Sequence, residues 1–422
     1  MAASHRRRRL LFLAPVVPAD HGNGLAMRVG FFLQSYAAEF DVDLAVIPVV
    51  SGAASDDGFA RQRAARMVVL PHPGRDLHFT LVGALSAPEA RLAAFRRYGR
   101  PSLAGFSAET ARRALAEWTN GERYDAVHVS RLYLAGMTEP WVSASTAPRP
   151  SLVLDCDEDD VRAYRRIASL ARLQGQDHAA AWAEAEADAF ARLSRELLPR
   201  FDVAFMASAG DGKSLSASST RVAIVPNVAP PGVAHTRRRP GKRHKTILFV
   251  GTMGYAPNAD AARWMITQVW PRLRRAFNAP LRLVLAGSDP SPALRRLGRQ
   301  RHIVVTGTVP DIGKFYREAD LSVVPIRVGS GTRIKLLEAA AWGVPIVSTT
   351  LGAEGTTFRH RRDLLIADAA EQFARSCAAL LHHPAYARNL AARARRHVTL
   401  EYDAGLWARR VGRQVAALSE GN

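Results

Sequence analysis

The amino-acid sequence predicts an α/β protein with two doubly wound domains, each built around a parallel sheet. Short apolar runs rich in β-branched residues alternate with amphipathic segments along most of the chain. Such continuous apolar runs are typical of strands that are buried on both faces. Strands are buried in this way when helices cover both sides of a parallel sheet. The length of 422 residues exceeds what one ordinary core supports, so we expect two domains.

The predicted elements follow the chain in two series. The first series of strands comprises residues 10–17, 43–50, 67–70, 125–129, 151–155, 202–208 and 222–226, and the second comprises 245–251, 281–287, 302–307, 320–326 and 344–349. The amphipathic segments, which we predict to be helices, include 24–39, 107–118, 260–277, 385–398 and 402–418, with one or two further helices in 160–200.

The composition breaks between the two series. Residues 229–245 are rich in Pro, Gly, Arg, Lys and His and have no apolar periodicity, which is typical of a solvated connector. A nucleic-acid-binding hook is the alternative for this tract. We therefore divide the chain into a first domain (1–228), a basic linker (229–245), a second domain (246–384) and terminal helices (385–422).

The chain is strongly basic, with 58 Lys and Arg against 38 Asp and Glu and a net charge of +20. Such a field attracts nucleic acid, anionic lipid headgroups or phosphorylated small molecules. An arginine-rich proteome would give the same composition, so the charge alone does not identify the class of partner.

Neither a membrane span nor a disulfide framework is predicted. No apolar run approaches the ~20 residues of a spanning helix. Pro15 and Pro18 interrupt the apolar segment that follows the basic residues 6–9, so we interpret it as a strand rather than a signal peptide. Cys156 and Cys377 are far apart, which excludes a cysteine-rich metal site and fits a reducing cytoplasm.

Two features of the first half suggest ligands only weakly. Gly22 and Gly24 follow a strand and open a helix, as in a dinucleotide fingerprint, but Met27 occupies the place of the third glycine. We interpret this loop as one wall of a cleft.

The acidic run 155–160 resembles a Mg²⁺ or Mn²⁺ site, but the favoured interpretation is that it caps the following helix, 161–173.

The second half contains a more specific pattern. A loop containing Gly251 and Thr252 enters one helix, and the loop with Ser330, Gly331 and Thr332 enters another, which we expect Thr332 to cap. Loops of this type converge beyond the carboxyl ends of parallel strands. The sequence therefore predicts an anion pocket built from two helix N-termini.

The second helix begins with positive charge. Arg333 and Lys335 occupy its first turn, where a helix dipole favours anions and disfavours cations. A bound di-anion would reverse that balance, since local rules are usually broken at functional positions. Glu338 shares the helix face of Lys335 and has two interpretations: an i,i+3 ion pair or a carboxylate that binds ribose hydroxyls.

Four stretches of the second half occur in the order of a known family: ILFVGTMGYAPNADAARW, LAGSDP, VVTGTVPDIGKFYREADLSVVPI and GSGTRIKLLEAAAWGVPIVSTTLGAEG. Together they resemble the GT-B-fold retaining glycosyltransferases of family 4 (glycosyl transferases group 1), in the subgroup with the GSGTR-x-K-x-x-E form. The first half resembles the family more loosely. The resemblance implies two facing Rossmann-like domains, a nucleotide-sugar bound mainly by the second, and a C-terminal helix that crosses back to the first.

The resemblance also implies roles for individual residues. Glu338 matches the second glutamate of the family's paired motif, which is expected at the ribose, whereas Ser330 stands at the first. The family's first-domain histidine lies near His128, a weak candidate because the best register places Ser130 there. Donor-binding positions would be Gly22, Gly24, Gly251, Thr252, Ser330, Gly331, Thr332 and Glu338, with Arg333 and Lys335 catalytic.

The implied reaction transfers a sugar from a nucleotide-diphosphate sugar to a saccharide or lipid-linked saccharide, with retention, in exopolysaccharide or lipopolysaccharide assembly. We expect no cofactor and no metal, because Arg333, Lys335 and backbone N–H groups would neutralise the diphosphate. We expect a cytoplasmic enzyme, with peripheral contact to anionic membrane as a further hypothesis. The alternatives are a sugar-nucleotide epimerase, a nicotinamide-dependent oxidoreductase and a non-enzymatic basic nucleic-acid-binding protein.

Overall fold

The computed structural model describes residues 7–49, 57–71, 76–142, 149–215, 220–230 and 244–420. The chain forms two compact units, Met1–Pro226 with Gly405–Asn422 and Asn227–Ala404. Most of the predicted linker, residues 231–243, lies outside the described residues.

The first unit is built on a seven-stranded parallel sheet. Its strands are β1 (Arg8–Ala14), β2 (Phe40–Val46), β3 (Arg66–Val69), β4 (Ala126–Ser130), β5 (Ser151–Asp157), β6 (Val203–Met206) and β7 (Arg221–Ile224). Its helices are α1 (Gly24–Ala37), α2 (Gly58–Arg61), α3 (Leu77–Ala84), α4 (Pro88–Tyr98), α5 (Glu109–Thr119), α6 (Glu139–Val142), α7 (Asp160–Leu173), α8 (Asp177–Leu197), α9 (Ala209–Leu215) and, from the end of the chain, α18 (Ala404–Leu418). The strand order is β3-β2-β1-β4-β5-β6-β7, so the direction of winding reverses between β1 and β4.

The second unit has a six-stranded parallel sheet of order β10-β9-β8-β11-β12-β13. Its strands are β8 (Lys245–Val250), β9 (Leu281–Ala286), β10 (Ile303–Val305), β11 (Leu321–Val324), β12 (Ile346–Ser348) and β13 (Leu365–Ile366). Its helices are α10 (Ala256–Trp264), α11 (Trp270–Ala276), α12 (Pro292–Leu297), α13 (Ile312–Glu318), α14 (Ile334–Ala341), α15 (Thr350–Ala353), α16 (Ala370–His382) and α17 (Pro384–Glu401). A π-helical turn, Met265–Val269, joins α10 to α11. Winding reverses between β8 and β11, which is where open α/β sheets bind ligands.

The predicted α/β class and parallel sheets are confirmed, and each predicted strand overlaps an observed one. The apolar runs predict the strands correctly because central strands such as β1 and β8 are covered on both faces. The inner residues of these strands are buried. Strand β13 was not predicted, because two residues are too few to give a pattern.

The terminal helices are shared between the two units, whereas the prediction placed all of 385–422 on the first domain. Helix α17 lies within the second unit, where its buried residues Leu390, Ala394 and Val398 join that unit's core. Helix α18 lies in the first unit, and its backbone touches α1: a Cβ built on Gly412 would lie 2.6 Å from the carbonyl oxygen of Ser35. Within the described part of the chain, no helix combines the length and apolar character needed to cross a membrane.

Candidate functional site

The candidate site lies at the carboxyl ends of β8 and β11 in the second unit. The loop after β11 reaches α14 through two glycines in the left-handed region, Gly329 (φ +103°) and Gly331 (φ +78°). Residues with a Cβ adopt this region at a cost. The Gly-Ser-Gly sequence is therefore what allows the chain to turn sharply into the helix.

Thr332 does not cap this helix, so the predicted cap is wrong. Helix α14 begins at Ile334, its N-cap is Arg333, and no side chain caps it. The hydroxyl of Thr332 donates instead to the carbonyl oxygen of Gly355, at 3.3 Å. The first turn also contains no acidic residue, so the positive end of the helix dipole has no compensating group there.

The guanidinium group of Arg333 has unused donors. Its Nη1 donates to the carbonyl oxygen of Ser330. Its Nε and Nη2 are buried and have no hydrogen-bond partner among the described residues. Buried charged donors without an acceptor are costly, and an anion at this point would supply the acceptors.

Lys335 joins α14 to the loop after β8. Its Nζ lies 2.6 Å from Oδ1 of Asn258 on α10 and 5.1 Å from the centre of the Phe249 ring. Nδ2 of Asn258 in turn donates to the carbonyl oxygen of Thr252, at 2.9 Å. The structure thus brings the two glycine loops together through one lysine and one asparagine.

The environment of Lys335 disfavours its charge. Burial, followed by repulsion from Arg333, lowers the pKa of Lys335 to about 7, and attraction from Glu338 opposes the shift. Because a lysine at this pKa loses its charge near neutral pH, an anion bound beside it would favour uptake of a proton.

Two glycines allow close approaches at this point of the site. A Cβ built on Gly251 would lie 3.0 Å from Nζ of Lys335 and 2.9 Å from Nδ2 of Asn258. A Cβ on Gly287, in the loop after β9, would lie 1.9 Å from the carbonyl oxygen of Gly251. The backbones of these two loops are therefore in direct contact.

Glu338 is buried, but its partner is not Lys335. Its Oε2 accepts a hydrogen bond from the hydroxyl of Tyr316 on α13, at 2.9 Å, and burial raises the pKa of Glu338. No ion pair between Glu338 and Lys335 forms among the described residues. Tyr316 and Asn258 were missed by sequence analysis, because each contact joins elements that are distant in the chain.

Ser330, the position of the family's first glutamate, has a fully buried side chain. Its carbonyl oxygen orients Arg333. The contact that Ser330 makes with the site is therefore made by its backbone carbonyl group.

The predicted glycine loop of the first unit is exposed. Gly22 has a φ of +100°, and Gly24 begins α1 behind the N-cap Asn23. Helix α1 and this loop pack closely further on, at Gly30, where a Cβ would lie 2.1 Å from the carbonyl oxygen of Ala19. Sequence analysis missed Gly30, although a glycine within an apolar helix is a signal of close packing.

His128 is a core residue. It is fully buried, and its Nδ1 lies 2.6 Å from the hydroxyl oxygen of Tyr36. The rings of Phe12 and Phe32 pack against it at 4.9 and 4.7 Å between centroids. Burial holds the pKa of His128 well below its usual range, so the imidazole is neutral within this aromatic core. Ser130 is also fully buried.

The acidic run 155–160 is used within the fold, as the capping interpretation predicted. Asp159 caps α7 by accepting from the amide of Arg162, at 3.0 Å. Asp155 forms a buried ion pair with Arg28, with 2.6 Å between Nη2 and Oδ1. Across the described ranges, no group of three or more His, Cys, Asp or Glu side chains is placed to hold a metal ion.

Comparison with known proteins gives a family match for the second unit. Residues 244–383, 140 of the 422 in the chain, match the profile of the family "Glycosyl transferases group 1". An uncharacterized 44.6 kDa protein in the cps region of Klebsiella pneumoniae is 25% identical over 137 residues, which are 31% of this chain and 35% of that protein. The match thus spans about a third of this curated relative.

Solved structures resemble the whole chain. Sucrose-phosphate synthase from Thermosynechococcus elongatus has a TM-score of 0.68 at 16% identity, covering 99% of this chain and 100% of that one. TarM has a TM-score of 0.67 at 8% identity, with 97% and 99% coverage. HepE from Anabaena, solved with UDP and glucose, has a TM-score of 0.60 at 13% identity, with 97% and 100% coverage. At these identities the likeness shows the fold, which is GT-B.

Proposed function

We propose that this protein is a retaining glycosyltransferase that moves a sugar from a nucleotide-diphosphate sugar to a hydroxyl of a saccharide or lipid-linked saccharide. One observation carries the proposal. Two buried nitrogens of Arg333 have no partner in the described structure, and they lie beside Lys335 in the part of the chain that matches the glycosyl transferases group 1 profile.

The chemistry follows from where charge develops. The bond between the anomeric carbon and the diphosphate oxygen breaks, the acceptor hydroxyl oxygen takes its place, and the hydroxyl proton leaves with the diphosphate. Arg333, Lys335 and the uncapped N-terminus of α14 would bind the growing negative charge. One such donor, already in place, contributes about 3–4 kcal/mol to a transition state of this kind.

The neighbouring residues would bind the rest of the donor. Tyr316 holds Oε2 of Glu338, which leaves Oε1 for a ribose hydroxyl. Gly251 and Thr252, tied to Lys335 through Asn258, would place backbone groups against the phosphates.

The biological setting is a second part of the proposal. The partial relative is encoded in a cps region, and HepE was solved with UDP and glucose. The first supports a role in polysaccharide assembly, and the second supports a nucleotide-sugar donor. We propose a cytoplasmic location, where such donors are made.

A donor screen tests the proposal. UDP-, GDP-, ADP- and dTDP-sugars are compared for thermal stabilisation, because a ligand that binds the folded state raises apparent stability by mass action. The donor found is then incubated with saccharide acceptors, and the anomeric configuration of the product is determined by NMR.

Other outcomes would identify the alternatives. Epimerised donor without acceptor would indicate an epimerase. A cofactor-linked absorbance change would indicate an oxidoreductase using the loop at Gly22 and Gly24. Tight, salt-dependent DNA binding without stabilisation by any nucleotide-sugar would indicate a nucleic-acid-binding protein.

A further inference from the structure

The side chain of Asn258 is buried at the start of α10 and does not cap that helix. Asn258 is the third residue of α10 and is 7% exposed. Its amide group makes two hydrogen bonds, and neither goes to a backbone N–H group of the helix. Asparagine is a poor helix former, because its amide competes with the backbone for hydrogen bonds. The value of this residue therefore lies in contacts outside its own helix.

The two partners fix the orientation of the amide group. The carbonyl oxygen of Thr252 can only accept, so the group that lies 2.9 Å from it is the amide nitrogen, Nδ2. The amide oxygen, Oδ1, then faces Nζ of Lys335 at 2.6 Å. Because this oxygen also can only accept, the lysine donates the hydrogen bond. Lys335 is therefore held by an acceptor that carries no net charge.

The ammonium group of Lys335 keeps donors for a ligand. Its charged form has three N–H donors, and the bond to Asn258 is the one hydrogen bond that Nζ makes within the described residues. The charged groups that act on Nζ are Arg333 and Glu338 of its own helix, and β8 presents the ring of Phe249. No carboxylate forms an ion pair with Nζ in the described part of the chain. Two donors and the full charge therefore remain for an anion.

The backbone packs closely around this pair of side chains. A Cβ built on Gly251 would lie 2.9 Å from Nδ2 of Asn258 and 3.0 Å from Nζ of Lys335. Both groups therefore lie against the loop after β8, with little room to move on that side. Donors that are held in place before the reaction stabilise developing charge better than donors that must reorganise.

We propose that Asn258 is a positioning residue of the donor site, whose amide holds Nζ of Lys335 in place for the diphosphate without neutralising it. An aspartate would hold the lysine as well, but its carboxylate would compete with the diphosphate for the same charge. The amide nitrogen also engages the carbonyl oxygen of Thr252, which would otherwise repel an anion. This inference rests on the proposed function, because it assigns a role within the donor site described there.

The first measurement needs no ligand. The chain contains five lysines, so isotope-labelled lysine gives a simple NMR spectrum, in which Lys335→Arg identifies the signal of Lys335 by its loss. Asn258→Asp places a carboxylate beside Nζ and should raise the pKa of Lys335 by about one pH unit or more. Asn389→Asp is the matched control, since it adds the same charge at an exposed position of α17 in the same unit. It should leave the pKa of Lys335 unchanged.

The second measurement is calorimetric titration with a donor. The donor is the compound that gives the largest thermal stabilisation of the wild type among the UDP-, GDP-, ADP- and dTDP-sugars. Asn258→Ala and Asn258→Asp should each weaken its binding at neutral pH on the order of ten-fold, whereas Asn389→Asp should bind as the wild type does. In Asn258→Asp the Kd should also vary less with pH above neutrality, because Lys335 stays charged there. A merely structural role of Asn258 would not change this pH dependence.

The outcomes separate this inference from the proposed function. The melting temperature of each unliganded variant shows whether it folds, and the alanine variant supplies the binding test if the aspartate variant does not. An unchanged pKa of Lys335 in folded Asn258→Asp would overturn the inference, as would wild-type affinity in the Asn258 variants. If the wild type bound none of the nucleotide-sugars, the proposed function would fail, and this inference would fail with it.

Discussion

Donor binding should weaken as pH rises above neutrality, because it needs the charged form of Lys335. Burial and Arg333 lower the pKa of this lysine to about 7 from an ordinary value of 10.5. A bound diphosphate favours the ammonium form and so raises the pKa again. Binding at pH 8 should therefore be accompanied by proton uptake.

The magnitude follows from the fraction of protein that carries the charge. With a pKa of about 7, about half of the free protein has a charged Lys335 at pH 7 and about one molecule in a hundred at pH 9. If only the charged form binds, the apparent Kd increases in inverse proportion to this fraction. The expected loss of affinity is on the order of 50-fold between pH 7 and pH 9.

Stability of the free protein should change in the opposite direction. Between pH 7 and pH 10.5 the unfolded chain binds the proton at Lys335 more strongly than the folded chain does. Lys335 therefore increases the free energy of unfolding as pH rises from 7 to 10.5. With rising pH, donor affinity should therefore fall while the stability of the free protein rises, and Lys335 accounts for both changes.

Isothermal titration calorimetry in buffers of different ionisation enthalpy measures both the affinity and the proton uptake. An intact nucleotide-sugar is the suitable ligand, because a free nucleoside diphosphate has a terminal phosphate that itself titrates near pH 6. Lys335→Arg is the matched control, since arginine keeps its charge over this range and should bind without proton uptake. A Kd of the wild type that is constant from pH 7 to pH 9 would refute the reasoning, as would the same pH slope in Lys335→Arg.

Three further predictions concern single positions. Lys335→Ala should lower turnover on the order of 100-fold or more with folding intact; near-normal turnover would remove this lysine from the mechanism. Gly30→Ala should destabilise the protein by roughly 1–3 kcal/mol in denaturant unfolding, because its Cβ would lie 2.1 Å from the carbonyl oxygen of Ala19. Gly83→Ala, a helix glycine with open space around it, is the control and should stabilise by about 0.5–1 kcal/mol. His128→Ala should lower the melting temperature but leave turnover at permissive temperature within about two-fold, since the imidazole is a packing group; a large loss of turnover with an unchanged melting temperature would make it catalytic instead.

The sheets were predictable because their signal is local. Strands buried on both faces must be apolar over several consecutive residues, and β1 and β8 show this directly. The expected position of the candidate site follows from topology, since parallel strands bring their carboxyl ends to one edge. Strand β13 carried no signal, because two residues cannot show a period.

The contacts within the site were less predictable. Thr332 matched a capping position by sequence, yet the carbonyl group of Gly355 engages its hydroxyl. For Glu338 the sequence left open an ion pair with Lys335 or a contact with ribose; the structure shows a hydrogen bond from Tyr316, 22 positions earlier, in place of the ion pair. Both contacts depend on which helices and loops pack side by side. The sequence of a single helix does not reveal these neighbours.

The division of the chain has a consequence for biosynthesis. The first unit is assembled from two stretches that the entire second unit separates in sequence. Ser35 of α1 and Glu39, just after α1, are both contacted by Gly412 of α18 in the folded protein. During translation, α18 is made only after the 178 residues of the second unit, 227–404. Until α18 has been synthesised, this part of the first unit therefore lacks the surface that covers it in the folded protein.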